Sequence, residues 1–241
     1  MKKQRIDTLL VERELAPSRN VAAAMVMAGE VSVGERRVDK PSVMVEGTAD
    51  IRIKDRPRYV SRAGGKLASV ISPLQLEFSG KTVLDVGSST GGFTDVALQH
   101  GANKVFCIDV GNAQLAYQLR QDPRVVVMER TDIRQAELPE LVDIAVMDVS
   151  FISLTKVLDA TAGHIKPGGL IIAMMKPQFE AGKVLADKYK GLILDEDVRQ
   201  SVIGEFREKI VEAFTIIAEA DSGVAGLHGN RERFFVMQPK H

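Results

Sequence analysis

Residues 85–95 constrain the fold more than any other stretch of the chain. They read Asp-Val-Gly-Ser-Ser-Thr-Gly-Gly-Phe-Thr-Asp and directly follow the apolar pair Val83-Leu84. An apolar strand that ends in an acidic residue and breaks into a glycine-rich turn is typical of doubly wound α/β folds, where the turn opens a helix and holds a ligand. The stretch therefore predicts this fold, with a ligand pocket at the glycines.

The residues of the turn narrow the class of ligand. Their spacing is not the Gly-x-Gly-x-x-Gly of a dinucleotide site, and no Lys-Ser/Thr pair marks a phosphate loop. An uncharged turn after an acidic residue suits a ligand with an amino-acid end and no phosphates, such as S-adenosylmethionine. An ordinary strand-to-helix turn is the alternative. The predicted cofactor contacts are Asp85, Gly87, Ser88, Ser89, Thr90, Gly91, Gly92 and Phe93.

Length and composition bound the class of protein. The 241 residues allow one large domain and one small one. The single cysteine, Cys107, excludes an internal disulfide and fits a reducing compartment. The apolar run 9–11 after the basic start is too short for a signal peptide, and no charge-free stretch is long enough for a membrane span. We therefore expect a cytoplasmic protein without a membrane partner.

The net charge of zero hides an uneven distribution. Residues 1–66 hold 14 Lys and Arg against 9 Asp and Glu, whereas the remainder holds 18 against 23. A basic amino-terminal segment indicates nucleic-acid binding. Unevenly distributed surface charge is the alternative explanation.

The pattern of the amino-terminal segment supports nucleic-acid binding. Helical spacing in 6–10 is followed by Ser18, which can cap a second helix that ends at Gly29; 31–38 has a hairpin pattern and 51–54 alternates like a strand. This small α+β arrangement resembles the S4 RNA-binding domain. The resemblance implies that basic side chains meet RNA phosphates, which fixes position more than sequence. These side chains are Arg5, Arg19, Arg36, Arg37 and Lys40.

After residue 58 the chain alternates apolar strand candidates with helical stretches, which predicts a Rossmann-like, mostly parallel sheet. We place the S4-like domain at 1–58, a linker at 59–62 and the α/β domain at 63–241. A long amphipathic helix is predicted at 196–213, and its apolar face comprises Val198, Ile203, Phe206 and Ile210. The strand candidates are 83–86, 105–109, 125–128, 144–147, 170–175 and 234–237.

Acidic residues stand at or just after the ends of four strand candidates: Asp85, Asp109, Asp132 and Asp148. Because ligands of such sheets bind at the carboxyl ends of the strands, these side chains can ring one pocket. Asp109 is placed to accept the ribose hydroxyls of an adenosine, and Asp132 to lie beside the adenine edge. Each residue taken singly is also explained as a helix cap or a loop residue.

Five motifs in order carry a family resemblance: Ser61-Arg62-Ala63-Gly64-Gly65-Lys66-Leu67, the turn at 85–95, Asp148-Val149-Ser150-Phe151-Ile152-Ser153-Leu154, Lys176-Pro177-Gln178-Phe179-Glu180 and Gly229-Asn230-Arg231-Glu232. They resemble the TlyA family, often labelled hemolysin A, whose members are FtsJ-type ribosomal RNA 2′-O-methyltransferases with an S4 domain in front. The resemblance implies S-adenosylmethionine-dependent methylation of a ribose hydroxyl, of cytidine, in ribosomal RNA or ribosomal subunits.

The resemblance also implies roles for individual residues. The catalytic set would be Lys66, Asp148, Lys176 and Glu232, and Arg62 would contact RNA. The family usually has Ala where Ser88 stands, and Ser-Pro where this chain has Ser222-Gly223.

The chemistry of the reaction fits these residue types. A ribose hydroxyl must lose its proton as it attacks a sulfonium methyl group, and a lysine can accept it only where desolvation or a second cation keeps part of the amine neutral. Lys176 follows an apolar strand candidate, and Lys66 can supply the second cation. Asp148 and Glu232 can orient the two amines. A surface lysine at a strand end is the alternative for Lys176.

Two other functions compete with this interpretation. A membrane-lysing hemolysin is disfavoured because the chain has neither a spanning segment nor a long aromatic-rich amphipathic run, and no Trp. An RNA-binding ribosome factor with an inactive enzyme domain is disfavoured by the complete set of catalytic candidates.

Overall fold

A computed structural model describes residues 3–54, 58–226 and 229–240 of the chain. The chain divides into two units, Met1–Arg58 and Tyr59–His241. Residues 59–62, predicted as a linker, lie in the second unit. Tyr59 is buried in its core, and the Val60 N–H donates to the Asp95 carboxylate at 2.8 Å.

The first unit combines two helices with short antiparallel strands. Its elements are β1 (Lys3–Arg5), α1 (Ile6–Glu12), α2 (Arg19–Met27), β2 (Val31–Val33), β3 (Arg36–Arg37), β4 (Met44–Glu46) and β5 (Ile51–Ile53). Strand β1 pairs with β4, and β2 lies between β3 and β5. Ile6, Leu10 and Val26 are fully buried between these elements, and the Ser18 hydroxyl accepts a hydrogen bond from the Val21 N–H to cap α2. The two helices and the hairpin predicted from the sequence are confirmed.

The second unit alternates strands and helices, as predicted. Its strands are β6 (Thr82–Val86), β7 (Lys104–Asp109), β8 (Val125–Glu129), β9 (Val142–Met147), β10 (Ile165–Met175), β11 (Phe214–Asp221) and β12 (Arg233–Pro239). Its α-helices are α3 (Arg62–Ile71), α4 (Gly92–Gln99), α5 (Tyr117–Arg120), α6 (Leu158–Ala162), α7 (Pro177–Glu180), α8 (Gly182–Lys188) and α9 (Glu196–Ile210). Short 3-10 helices cover Ile133–Gln135 and Leu154–Lys156.

Among the described residues, seven strands form one sheet in the order β11-β12-β10-β9-β6-β7-β8. The pairs from β10 to β8 are parallel, whereas β12 is antiparallel to both of its neighbours. The order turns back between β6 and β9, because β7 and β8 lie on one side of β6 and β9 and β10 on the other. Such a switch point opens a crevice at the carboxyl ends of the strands. The predicted Rossmann-like fold is confirmed.

The segment after α9 differs from the sequence prediction in one helix boundary and one additional strand. The long helix α9 ends at Ile210 rather than 213, and the chain continues as strand β11, which was not predicted. β11 is an edge strand with a register shift between Ile216 and Ala218, so its buried residues do not alternate regularly. Within the described residues, no helix has the length and apolar character that crossing a membrane requires.

Candidate active site

The glycine-rich turn after β6 brings two backbone segments into close contact. Gly87 has a φ of 81°, and a Cβ at this position would lie 2.9 Å from the Asp148 carbonyl oxygen. Only glycine combines that backbone conformation with that approach. The turn after β6 and the end of β9 therefore lie against each other at the switch point of the sheet.

A cavity of about 320 Å³ opens at this turn and is lined by 61–63, by Asp85 and by turn residues 87–93 apart from Gly91. The Asp85 side chain is fully buried, and its Oδ2 accepts hydrogen bonds from the Thr94 N–H at 2.9 Å and the Thr94 hydroxyl at 2.6 Å. Its Oδ1 is buried without a partner in the described structure. Burial raises the pKa of Asp85 to about 7, with the Thr94 hydrogen bonds opposing the shift. An unpartnered carboxylate oxygen beside a cavity suits a cationic ligand group.

A second cavity, of about 500 Å³, adjoins the first, since both are lined by Gly87, Ser89 and Asp148. Asp109 lies in its wall and accepts hydrogen bonds from the Ser89 N–H at 2.8 Å and the Gly111 N–H at 2.7 Å. These bonds tie the turn after β6 to the loop after β7. The structure thus places Asp109 at the cavity, as an organiser of its wall.

Asp132 also lines the second cavity, but its carboxylate is engaged. The Arg134 guanidinium donates to both oxygens, at 3.0 Å to Oδ1 and 2.5 Å to Oδ2. This pair lowers the pKa of Asp132 to about 2, and Arg134 itself lines the cavity. Sequence reasoning missed Arg134, although its position two residues after an acidic cap is a visible signal.

The predicted catalytic residues gather at the same edge of the sheet. Asp148 follows the end of β9, Lys176 follows the end of β10, and Glu232 directly precedes β12. Since Met175 pairs with Arg233 in the antiparallel register, the next pair along the register sets Lys176 opposite Glu232. Lys66 reaches this edge from α3.

Two ion pairs join these four side chains. Lys176 Nζ lies 2.5 Å from Asp148 Oδ1, and it also donates to the Val149 carbonyl at 3.0 Å and to the Ser150 hydroxyl at 2.7 Å. Lys66 Nζ donates to Glu232 Oε1 at 2.6 Å. Lys66 is therefore the partner of Glu232 here. This pair fits the expectation that Glu232 orients an amine, and the role of Lys66 as a second cation for Lys176 stays a prediction.

The Phe179 ring lies beside Lys176, and the Phe151 ring packs against Phe179. Phe151 is 92% exposed, has a φ of 63°, and its ring centroid lies 5.3 Å from that of Phe179. Lys176 Nζ lies 5.8 Å from the Phe179 centroid. A bulky residue with this backbone conformation is strained, and such strain concentrates at functional sites. Both residues stand inside the motifs quoted from the sequence, but sequence reasoning gave neither a role.

The basic residues predicted to bind RNA fall into three groups. Arg5 and Arg19 pair with the buried Asp7, at 2.8 Å and 3.1 Å, and this holds the pKa of Asp7 well below its usual range. Arg36, Arg37 and Lys40 are exposed on the first unit. Arg62 belongs to the second unit, where it lines the smaller cavity and donates to the Ala225 carbonyl at 3.2 Å.

The two positions that depart from the family pattern have defined surroundings. Ser88 is buried in the turn, and its N–H donates to the Ile108 carbonyl. The Gly223 N–H donates to the Ser69 hydroxyl at 2.9 Å, a bond that a proline cannot make. Gly223 thus anchors the loop before Glu232 to helix α3.

Family comparisons agree with this geometry. The model of the FtsJ-like methyltransferase family matches residues 59–240, and that of the S4 domain matches residues 4–51. The chain belongs to the FtsJ-like methyltransferase family. It is therefore a methyltransferase with an S4 domain in front, and the predicted family resemblance is confirmed.

Individual relatives cover most of the chain. YqxC of Bacillus subtilis, named as an rRNA methyltransferase, is 45% identical over 207 residues, which is 84% of this chain and 73% of YqxC. The 16S/23S rRNA (cytidine-2′-O)-methyltransferase TlyA of Mycobacterium tuberculosis is 39% identical over 97% of this chain and 89% of its own length. A solved structure named as a hemolysin from Streptococcus thermophilus superposes with a TM-score of 0.72 and 36% identity, covering 100% of this chain and 90% of that one.

Proposed function

We propose that this methyltransferase transfers the methyl group of S-adenosylmethionine to a ribose 2′-hydroxyl, of cytidine, in ribosomal RNA. The observation that carries the proposal is the pair of lysine–carboxylate contacts, one of which includes Asp148, a residue that lines both adjoining cavities at the switch point. The names of the relatives supply the substrate class, since TlyA of M. tuberculosis is named for cytidine 2′-O-methylation of 16S and 23S rRNA.

The residues at the cavities fit the cofactor. The unpartnered Oδ1 of Asp85 suits the α-ammonium group, and the backbone of the 87–93 turn lets the amino-acid end approach closely. Asp109 and Asp132 line the larger cavity, where the adenosine would lie, and Asp148 lines both. When bound, the cofactor supplies an electrophilic methyl group.

We assign Lys176 the role of general base toward the ribose hydroxyl. Its ammonium donates hydrogen bonds to the Val149 carbonyl and the Ser150 hydroxyl and lies in ion-pair contact with Asp148. A neutral amine has two N–H bonds and one lone pair, so it can keep two of these contacts and turn the lone pair to the ribose hydroxyl. Asp148 and the Val149 carbonyl thus orient the amine, and the partly exposed Ser150 is the contact that substrate can replace.

Lys66 and Glu232 complete the site as a buried pair. Glu232 is 2% exposed, and its Oε2 has no hydrogen-bond partner in the described structure. A carboxylate held at this place can accept a hydrogen bond from the target ribose, while Lys66 balances its charge.

Phe151 offers a surface for the RNA itself. An unstacked base gains stability by stacking on an aromatic side chain. Phe151 presents an exposed ring beside Phe179, which in turn lies beside Lys176. We assign to Phe151 the stacking of the target nucleotide's base or of a neighbouring base.

Replacing Asp109 with alanine is expected to weaken binding of S-adenosylmethionine by at least about tenfold, about 1.4 kcal/mol. The change removes a ribose acceptor and the bonds that hold Ser89 and Gly111. Isothermal titration calorimetry measures the affinity. Asp122→Ala is the control, because Asp122 pairs with Arg124 and lines neither cavity. Unchanged affinity in Asp109→Ala would remove Asp109 from the cofactor site.

Deleting residues 1–58 is expected to weaken RNA binding and to flatten its dependence on salt. The exposed Arg36, Arg37 and Lys40 leave with the first unit, and fewer phosphate contacts release fewer counterions. Binding isotherms at several salt concentrations measure the slope, and calorimetry with S-adenosylmethionine checks that residues 59–241 still fold. An unchanged RNA affinity and slope would exclude the S4 domain from RNA binding.

The proposed activity is tested by incubating the full chain with methyl-labelled S-adenosylmethionine and isolated small or large ribosomal subunits. We expect label in RNA from at least one subunit. Cofactor binding without any transfer to either subunit or to naked ribosomal RNA would favour a binding factor with an inactive enzyme domain.

A further inference from the structure

Arg199, on helix α9, is a charged side chain inside the second unit. It is 2% exposed and is among the largest fully buried side chains of the described chain. Removing a guanidinium from water is costly unless each N–H group finds an acceptor. The hydrogen-bond acceptors of Arg199 therefore indicate the role of this buried charge.

The planar guanidinium of Arg199 donates to acceptors on three sides. Nη1 donates to Glu196 Oε1 at 2.8 Å, and Nη2 makes a short contact with Asp221 Oδ1. Nε donates at 3.0 Å to the backbone carbonyl of Arg231. The third bond holds the main chain of the residue directly before Glu232.

The whole entry to β12 is anchored in this way. The Arg233 guanidinium donates to Asp221 Oδ1 at 2.8 Å, and the Ser222 N–H donates to the Glu232 carbonyl at 2.9 Å. Glu232 thus stands between two residues that are tied to Arg199 and Asp221. Its backbone has little freedom to move relative to Lys66.

Fastening α9 to β11 does not by itself require a buried charge. Arg207, two turns further along the same helix, already makes a bidentate pair with Glu219 of β11, at 2.8 Å to each oxygen, from a partly exposed position. Buried ion pairs can often be replaced by hydrophobic residues without loss of stability. The distinguishing feature of Arg199 is its bond to the chain beside Glu232.

We propose that Arg199 is a positioning residue for Glu232: it fixes the start of β12 and so sets the Glu232 carboxylate against Lys66. The inference rests on the proposed function, in which Glu232 and Lys66 belong to the catalytic site. Catalytic groups must be held within a fraction of an ångström of their productive geometry. Loss of one backbone anchor is therefore expected to lower the rate of transfer.

The test compares Arg199→Lys and Arg199→Met with the matched variant Arg207→Lys. Lysine keeps the charge but cannot donate in three directions of one plane, and methionine fills the space without any bond. Both Arg199 variants are expected to lower kcat by about tenfold or more with unchanged KM for RNA and unchanged cofactor affinity. Arg207→Lys is expected to leave kcat unchanged. Equal kcat in all variants that melt as cooperatively as the parent chain would overturn the proposal.

A double-variant cycle shows whether the effect passes through Glu232. In a Glu232→Gln background, Arg199→Met should lower the remaining rate far less than it does in the parent chain, because coupled residues are not additive. The same fold-loss in both backgrounds would show that Arg199 acts independently of Glu232, and would overturn the proposal.

A third measurement does not depend on methyl transfer. The reactivity of the Lys66 amine toward an acylating reagent, followed by mass spectrometry, should rise in Arg199→Met and in Glu232→Gln and stay unchanged in Arg207→Lys. Unchanged Lys66 reactivity in Arg199→Met would contradict the positioning role. If the parent chain transfers no methyl group, the proposed function fails, and this measurement still decides whether Arg199 positions Glu232.

Discussion

Replacing Lys176 with alanine is expected to reduce methyl transfer by at least about a hundredfold, the lower end of what a general base contributes. The amine is lost from a position where Asp148, Val149 and Ser150 hold it beside the cofactor cavities. Affinities for cofactor and RNA should stay nearly unchanged, because a base acts in the transition state rather than in binding. Single-turnover transfer and calorimetry measure the two quantities.

Lys166→Ala is the control for this variant. Lys166 lies at the opposite end of β10 and also pairs with an aspartate, Asp143, at 2.9 Å. Asp143 lines neither cofactor cavity, whereas Asp148, the partner of Lys176, lines both. Loss of Lys166 should leave transfer unchanged. If Lys176→Ala keeps more than about a tenth of the rate, a general-base role is excluded. Alignment of the hydroxyl would then account for catalysis.

Replacing Lys66 with alanine is expected to impair both stability and activity. It leaves the buried Glu232 carboxylate without its cation, and breaking a buried pair on one side costs about 3 kcal/mol or more in the free energy of unfolding. Transfer should fall severely, since Glu232 loses its charge balance. Denaturant unfolding and the transfer assay measure the two effects.

Lys104→Ala provides a matched comparison for the stability effect. Lys104 pairs with Glu140 at the same 2.6 Å, but both side chains are more than 40% exposed. An exposed pair contributes less than about 1 kcal/mol. If both lysine variants lose the same small amount of stability, Glu232 does not behave as a buried partner of Lys66.

The sequence predicted the location of the site because parallel strands bring their carboxyl ends to one edge. Asp85, Asp109, Asp148 and Lys176 all stand at such ends, and the structure places all four there. Their pattern is local, one residue type at the end of each apolar run. That is why it is visible without the fold.

Which lysine meets which carboxylate was not visible in the same way. Glu232 lies opposite Lys176 in the strand register only because β12 enters the sheet antiparallel to β10, and Lys66 reaches Glu232 across 166 residues of sequence. The sequence pattern does not contain the order of the strands, so it did not show which carboxylate pairs with Lys66.

Buried charge was the other feature that the sequence concealed. On α9 the predicted apolar face comprised Val198, Ile203, Phe206 and Ile210. In the structure Arg199 is buried on that helix, whereas Val198 is only half-buried. Hydrophobic periodicity assigns arginine to the solvent, and the acceptors that make its burial possible come from β11 and the start of β12.

The central claim is that this chain methylates a ribose hydroxyl, and nucleoside analysis tests it most directly. The full chain is incubated with ribosomal subunits and labelled S-adenosylmethionine, and the RNA is digested completely to nucleosides and separated by chromatography with mass detection. We expect label in 2′-O-methylcytidine with the parent chain, and labelling at least about a hundredfold slower with Lys176→Ala. Label in a base-methylated nucleoside, with none in any 2′-O-methyl nucleoside, would contradict ribose methylation.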